Sequence, residues 1–199
     1  IKRIHYTAPH PLYMTDEVID ALTLPKQVNF LHLPVQSGNT DMLKKMNRRH
    51  DRELFIETIK KIREKKPNIA IGTDIIVGFC GETKEQFNDT VSLYEICDFD
   101  ISYTAKYSER SGTVAAKAFK DDVTQEEKKK RWWKLQRLME KIVLKKNQAY
   151  LDKEVSVLVD DWHRGWCSGN SSEMKRVQFK GEESLIGSVS RVKVYKAGE

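Results

Sequence analysis

Gly78 and Gly81 follow directly on the apolar run Ile75-Ile76-Val77, and their spacing is what gives this stretch its chemical potential. A glycine carries no Cβ, so backbone amides and carbonyls at such a turn can approach a ligand closely. Thr83 and Gln86 have the spacing of a capping box, so a helix begins as the turn ends. In parallel α/β sheets, ligands gather at the carboxyl ends of the strands, where this turn falls. A plain tight βα turn would ask for the same glycines, so the segment alone leaves both roles open. Two further segments share its character: His32-Leu33-Pro34-Val35-Gln36-Ser37-Gly38 and Tyr107-Ser108-Glu109-Arg110-Ser111-Gly112-Thr113. Each sets small or polar residues behind an apolar run.

The cysteines offer less. Cys80, Cys97 and Cys167 are three in number and far apart, which writes neither a disulfide framework nor a Cys-x-x-Cys metal site. Each reads as a buried or free thiol, and no metal ligand or catalytic side chain is assigned.

The elements that must position these segments alternate up to about residue 120. Arg3 to Thr7 reads as a strand, Thr15 to Ala21 as a short helix, and Phe30 to Val35 as a second strand. Thr40 to Met46 is helical, and Asp51 caps a longer helix with Leu54, Phe55, Ile59 and Ile62 at helical spacing until Pro67. Ile69 to Phe79 is a strand whose continuous β-branched run suits cover on both faces. A helix to about Cys97 and a strand from Ile101 to Tyr107 complete the alternation, which means βαβ units and a parallel sheet.

Thr124 with Glu127 opens a long helix to Gln148, with Trp132, Leu135, Leu138, Met139, Ile142 and Val143 on its apolar face. Its other face collects Lys128, Lys129, Lys130, Arg131, Lys134 and further cations, a solvated face or a phosphate-facing one. After Tyr150 the texture changes to short strands at 155–159, 175–179 and 187–195, separated by turns at Asp160-Asp161, Cys167 to Ser172 and Lys180 to Glu182. That pattern gives a small antiparallel β-barrel. Trp162, Arg164, Trp166, Lys175, Arg176 and Phe179 suit either ordinary surface and core or a nucleic-acid face. The division is therefore an α/β part over 1–148 and a barrel over 149–199.

Composition bounds the rest. The 199 residues are 39% hydrophobic and 32% charged, as in a soluble globular protein, with no apolar run of membrane-spanning length and no signal peptide. A cytoplasmic location with no membrane partner is the default. The 35 Lys and Arg against 29 Asp and Glu give a net charge of +6, compatible with a polyanionic partner without demanding one. The chain opens without methionine in a strand-like run, which suggests a piece of something longer.

Taken together, the three strand-end segments and the barrel-like tail resemble the carboxyl-terminal half of the radical S-adenosylmethionine (SAM) methylthiotransferases. The resemblance runs from Arg3-Ile4-His5-Tyr6-Thr7-Ala8-Pro9-His10-Pro11 through Met46-Asn47-Arg48 to a TRAM-like, OB-like barrel with Gly169 to Phe179 and Leu185-Ile186-Gly187. Leu33-Pro34-Val35-Gln36-Ser37-Gly38 favours the tRNA-modifying branches. Cys80, Ser111 and Ala8 stand where proline, proline and serine are usual in the family.

The resemblance implies an incomplete parallel (β/α) barrel of radical SAM type. It implies that Gln36 and Ser37 lie along the aminocarboxylate and ribose of SAM, with Arg48 pairing the carboxylate. Ile76, Val77 and Gly78 would pass the adenine, with Asp74 and Glu82 nearby, while Tyr107, Ser108, Arg110, Gly112 and Thr113 would border the substrate mouth. Lys175 and Arg176 would contact RNA. The implied activity is 2-methylthiolation of isopentenylated adenosine beside the tRNA anticodon, one SAM giving the methyl group and another a 5′-deoxyadenosyl radical. Partners would be the tRNA anticodon loop, SAM and an electron-donor protein.

Family chemistry also needs two [4Fe-4S] clusters, and their cysteine sets, including a Cys-x-x-x-Cys-x-x-Cys loop, do not occur in residues 1–199. The chain alone is therefore expected to be inert. Methylthiolation of threonylcarbamoyl-adenosine and a non-catalytic RNA-binding module are the competing functions.

Overall fold

The structure, a computed structural model, describes residues 1–198. Three parallel strands, β1 (Phe30–His32), β2 (Ala70–Val77) and β3 (Ile101–Lys106), form one sheet in that order. They alternate with helices α1 (Asp16–Ala21), α2 (Thr40–Lys45), α3 (Arg52–Lys65), α4 (Lys84–Cys97), α5 (Val114–Ala118) and α6 (Gln125–Gln148). Asn39, Asp51, Thr83, Thr113 and Thr124 each cap the helix that follows by accepting a backbone N–H.

The period of two along β2 divides its residues between unlike surroundings. Ile71, Thr73, Ile75 and Val77 are buried in the core that α3, α4 and α6 build with Phe55, Ile62, Leu93 and Leu135. Gly72, Asp74 and Ile76 point to the opposite face with His32 and Tyr103, and there Tyr103 is 59% exposed. This second face is covered at its amino end, where Phe30 and Ala70 are buried with Met174 packed on them, and open from Asp74 onward, so the two covered faces expected from the β-branched run hold for only part of β2.

The expected first strand, Arg3 to Thr7, is reduced to isolated parallel bridges, Ile4 with Gln27 and Thr7 with His32. Its neighbour β1 is itself short, because past His32 its backbone meets a side chain of β2 in place of the backbone ladder. Thr73 takes over: its hydroxyl donates to the Leu33 carbonyl at 2.8 Å and accepts the Val35 amide at 3.1 Å.

The tail holds a four-stranded antiparallel sheet, curled into a half-barrel, in the order β6 (Arg176–Lys180), β5 (Trp166–Asn170), β4 (Glu154–His163), β7 (Val189–Lys193). Two expected turns belong to strands instead. Asp160-Asp161 is a bulge inside β4, and Cys167 to Asn170 is most of β5, paired to both its neighbours. Opposed pairs explain why so polar a segment extends: Cys167 faces Phe179 and Gly169 faces Val177 across β5 and β6.

The two parts are joined at the amino ends of the parallel strands. Arg3 donates to the carbonyls of Ser156 and Asn170 at 2.6 and 2.7 Å, and the Asn29 amide to the Ser172 carbonyl at 2.8 Å. Met174 packs on Phe30, Ala70 and Ile101, the first residues of β1, β2 and β3. The carboxyl ends, with the Gly78 turn, are left on the opposite side.

Candidate functional site

At those carboxyl ends Val77 gives way to Gly78, whose φ of +71° is the left-handed conformation that glycine adopts without strain. The Gly78 amide donates to Glu82 Oε2 at 2.7 Å, so the turn is closed by its own carboxylate. Thr83 and Gln86 complete the capping box reciprocally and start α4. Beside the turn lies a cleft of ≈ 230 Å³ lined by Arg48, Ile76, Phe79, Tyr107, Val114 and Phe119, among others.

The cleft's walls are apolar, and its polar groups converge. Arg48 is half-buried, and its guanidinium has no hydrogen-bond partner among the described residues. Burial holds its pKa below the ordinary arginine value, partly offset by the charge of Asp74. Asn47, at φ 56°, ends α2 in the left-handed conformation, and the following Arg48 amide caps the Leu43 carbonyl at 2.8 Å. The Tyr107 hydroxyl is buried without a partner. A planar cation able to fork onto a carboxylate, an orphaned hydroxyl and apolar walls at Ile76 and Phe79 suit the carboxylate, the ribose or base edge and the adenine of a nucleoside amino acid.

Arg48, Ile76 and Tyr107 are thus brought together. Gln36 is buried at φ 77°, and its backbone bridges to β2, its amide to the Asp74 carbonyl at 2.8 Å and its carbonyl from the Ile76 amide at 2.9 Å. Ser37 is buried with its hydroxyl against Thr90 of α4, accepting the Asn39 amide at 3.3 Å. Asp74 pairs with His32 Nε2 at 3.1 Å on the open face of the sheet. Val77 faces the core, and Glu82 sits behind the turn. Ser108, Arg110, Gly112 and Thr113 are exposed on the loop that Thr113 ends as the cap of α5. Lys175 and Arg176 lie far along the chain in the tail: Lys175 is half-buried beside Glu173, and Arg176 donates from Nη1 to both Asp160 oxygens at 2.6 and 2.7 Å and from Nη2 to the Ser168 hydroxyl at 2.7 Å.

Sequence reasoning missed two residues here. Lys128 and Arg131, placed on the solvated face of the long helix, are 0% and 5% exposed. Arg131 Nη1 donates to Glu82 Oε2 at 2.6 Å, and Lys128 Nζ to Asp121 at 2.6 Å. A signal existed: Lys128 stands two helical turns before Leu135, on the apolar stripe. The capping box expected at Thr124 is half formed, because Glu127 turns to Arg131 instead of to the cap.

A second cavity, of ≈ 520 Å³, lies between the sheet's open face and the tail, lined by His5, His32, Tyr103, Asp100, Glu173 and Lys175 among others. Burial pushes His5 and Lys175 down from their ordinary pKa values. The three cysteines are free and buried, and burial pushes the Cys97 thiol up to about 12. Among the described residues no grouping of His, Cys, Asp and Glu is placed to hold a metal ion, so the residues present do not fit an iron–sulfur cluster.

Parallel strands with helices on the outer face and a cleft at the carboxyl ends form part of an α/β barrel. Residues 1–94 match the family model described as the radical SAM superfamily. Coproporphyrinogen III oxidase from Escherichia coli, a radical SAM enzyme, shares the fold at a TM-score of 0.59 and 20% identity, over 70% of this chain and 32% of its own. At the level of sequence, the chain is 41% identical over 99% of its length to a tRNA-2-methylthio-N(6)-dimethylallyladenosine synthase of Clostridium botulinum. The synthase of that name from Bacillus subtilis (strain 168) is 43% identical, again over 99% of the chain. The chain is similar to both synthases over nearly its whole length. It spans 44% and 39% of the length of these two relatives.

Proposed function

We propose that this chain supplies one wall of the SAM site and the RNA-gripping tail of a tRNA methylthiotransferase acting on an isopentenylated adenosine. The observation that carries the reading is the cleft at the carboxyl ends of β2 and β3. There the unpaired Arg48 guanidinium, the orphaned Tyr107 hydroxyl and Phe79 of the Gly78 turn converge. Arg48 would fork onto the cofactor's carboxylate, Ile76 and Phe79 would flank the adenine, and Tyr107 would hydrogen-bond a polar edge. Gln36 and Ser37 would set the position of that wall through backbone and buried hydroxyl.

SAM held by Arg48, Ile76, Phe79 and Tyr107 would bring radical chemistry for hydrogen abstraction to this wall, and a second SAM would be the source of the methyl group. Two clusters and an electron-donor protein are part of the proposed reaction, and this chain carries none of their cysteine ligand sets. We take residues 1–148 as its share of the barrel and 149–199 as a TRAM-like module, with Lys175 and Arg176 near its RNA-facing side. Among the described residues no helix is long and apolar enough to cross a membrane, which accords with a cytoplasmic site of tRNA modification.

The test is a chimera in which residues 1–199 replace the matching segment of the Bacillus subtilis relative. We expect 2-methylthio-adenosine in tRNA hydrolysates, measured by mass spectrometry, and a loss of about tenfold or more on Arg48→Gln. A folded, cluster-loaded chimera without the product would overturn the reading, and binding of RNA without it would point to the non-catalytic module.

A further inference from the structure

We propose that Arg131 and Lys128 of α6 are positioning residues for the cofactor cleft, latching the Gly78 turn so that Phe79, the next residue, is held in the cleft wall. This inference rests on the cofactor reading above. The latch is a chain of short contacts: the Gly78 amide donates to Glu82 Oε2 at 2.7 Å, and Arg131 Nη1 donates to the same oxygen at 2.6 Å. Nη1 also reaches the Glu82 carbonyl at 2.9 Å, while Nε is held by Glu127 Oε1 at 3.0 Å. One guanidinium therefore grips both the side chain and the backbone of Glu82.

Lys128, one turn earlier on α6, completes the arrangement. Its aliphatic stem lies directly against Gly78, where any Cβ would strike Lys128 Cγ. Its ammonium turns away to Asp121 at 2.6 and 2.7 Å and sits 5.2 Å from the centre of the Tyr107 ring, a wall of the cleft. Asp122 takes the Gly81 amide at 2.6 Å. The segment entering α6 thus fixes the turn at Gly78, Gly81 and Glu82 and touches the opposite wall at Tyr107.

Burying these charges is expensive, and apolar side chains of the same volume would serve packing as well or better. What the charges add is direction. Glu82 retains a buried Oε1 without a partner, and burial pushes its carboxyl above the ordinary range even against Gly78 and Arg131. A group so poorly solvated depends on Arg131 to stay aimed at the Gly78 amide.

The experiment is amide exchange on the full chain, with S-adenosylhomocysteine titrated against the amide resonances. Arg131→Met and Lys128→Met should speed exchange at Gly78 by about tenfold or more while Ile71 and Ile75 in β2 keep their protection. Both should also weaken S-adenosylhomocysteine by about tenfold. Glu82→Gln combined with Arg131→Met removes both buried charges, so it guards against failure to fold, and it should still lose affinity. Unchanged exchange at Gly78 would overturn the latch. Faster exchange with unaltered affinity would overturn its role for the cofactor. A wild-type chain that ignores the ligand, with Gly78 exchange still governed by Arg131, would remove the cofactor reading while the latch itself stood.

Discussion

His50 joins the candidate site to the chain's stability. Only 4% exposed, it places Nε2 3.2 Å from the Val35 carbonyl while Nδ1 has no partner. Burial lowers its pKa from 6.5 to about 4, with His10 and Arg48 adding to the fall and the Val35 carbonyl and Asp51 opposing it. The unfolded chain therefore binds a proton that the folded chain refuses between pH 6.5 and about 4, so stability is lost as pH drops through that window. The loss should be about 3 kcal/mol from His50, with His5 and His10 acting in the same direction. Urea midpoints across this range should flatten in His50→Gln, and equal slopes in the two proteins would refute the assignment. At this scale the sequence singled out Gly78 and Glu82 at the turn but placed Lys128 and Arg131 in water. Charge suggested exposure, while their position on the apolar stripe of α6 decided burial.

At the scale of elements, α4 begins where the candidate turn ends, and its start rests on the Thr83 and Gln86 box. Thr83→Ala should destabilise the chain by about 1 kcal/mol in urea unfolding, and Thr124→Ala by no more, since the second box lacks its reciprocal bond. A larger cost at Thr124 would contradict this ranking. Elements with strong local signals were legible: α3, α4, β2 and α6 all fall within a residue or two of where period and caps put them. β5 was not, because Cys167-Ser168-Gly169-Asn170 is turn-like in composition and becomes a strand only through its pairing with β4 and β6. The five-residue α5 was also passed over, being too short to show a period.

Across the whole molecule, the tail is docked at the amino ends of the parallel strands and the cleft opens at their carboxyl ends, with α6 running between the two regions. Its 24 residues extend about 36 Å. If the tail grips tRNA through phosphate, affinity should fall steeply with salt, and Lys180→Glu should lower it further, since Lys180 is exposed and lies 6.0 Å from the centre of the Trp166 ring. Arg176→Ala should matter less than Lys180→Glu, because its guanidinium is already held by Asp160 and Ser168. Filter binding over a salt series checks both, and salt-independent binding would contradict a phosphate grip. The parallel sheet and an antiparallel tail were readable from alternating runs and caps, whereas the open face and the cleft's lining depend on contacts far apart in sequence.

The most direct measurement is a titration of isotope-labelled chain with S-adenosylhomocysteine, followed by amide and arginine side-chain resonances. The account predicts saturable shifts centred on Arg48, Ile76, Gly78 and Tyr107, abolished by Arg48→Gln. Saturable shifts confined to the cavity around His5 and Lys175, or none at millimolar ligand, would contradict it.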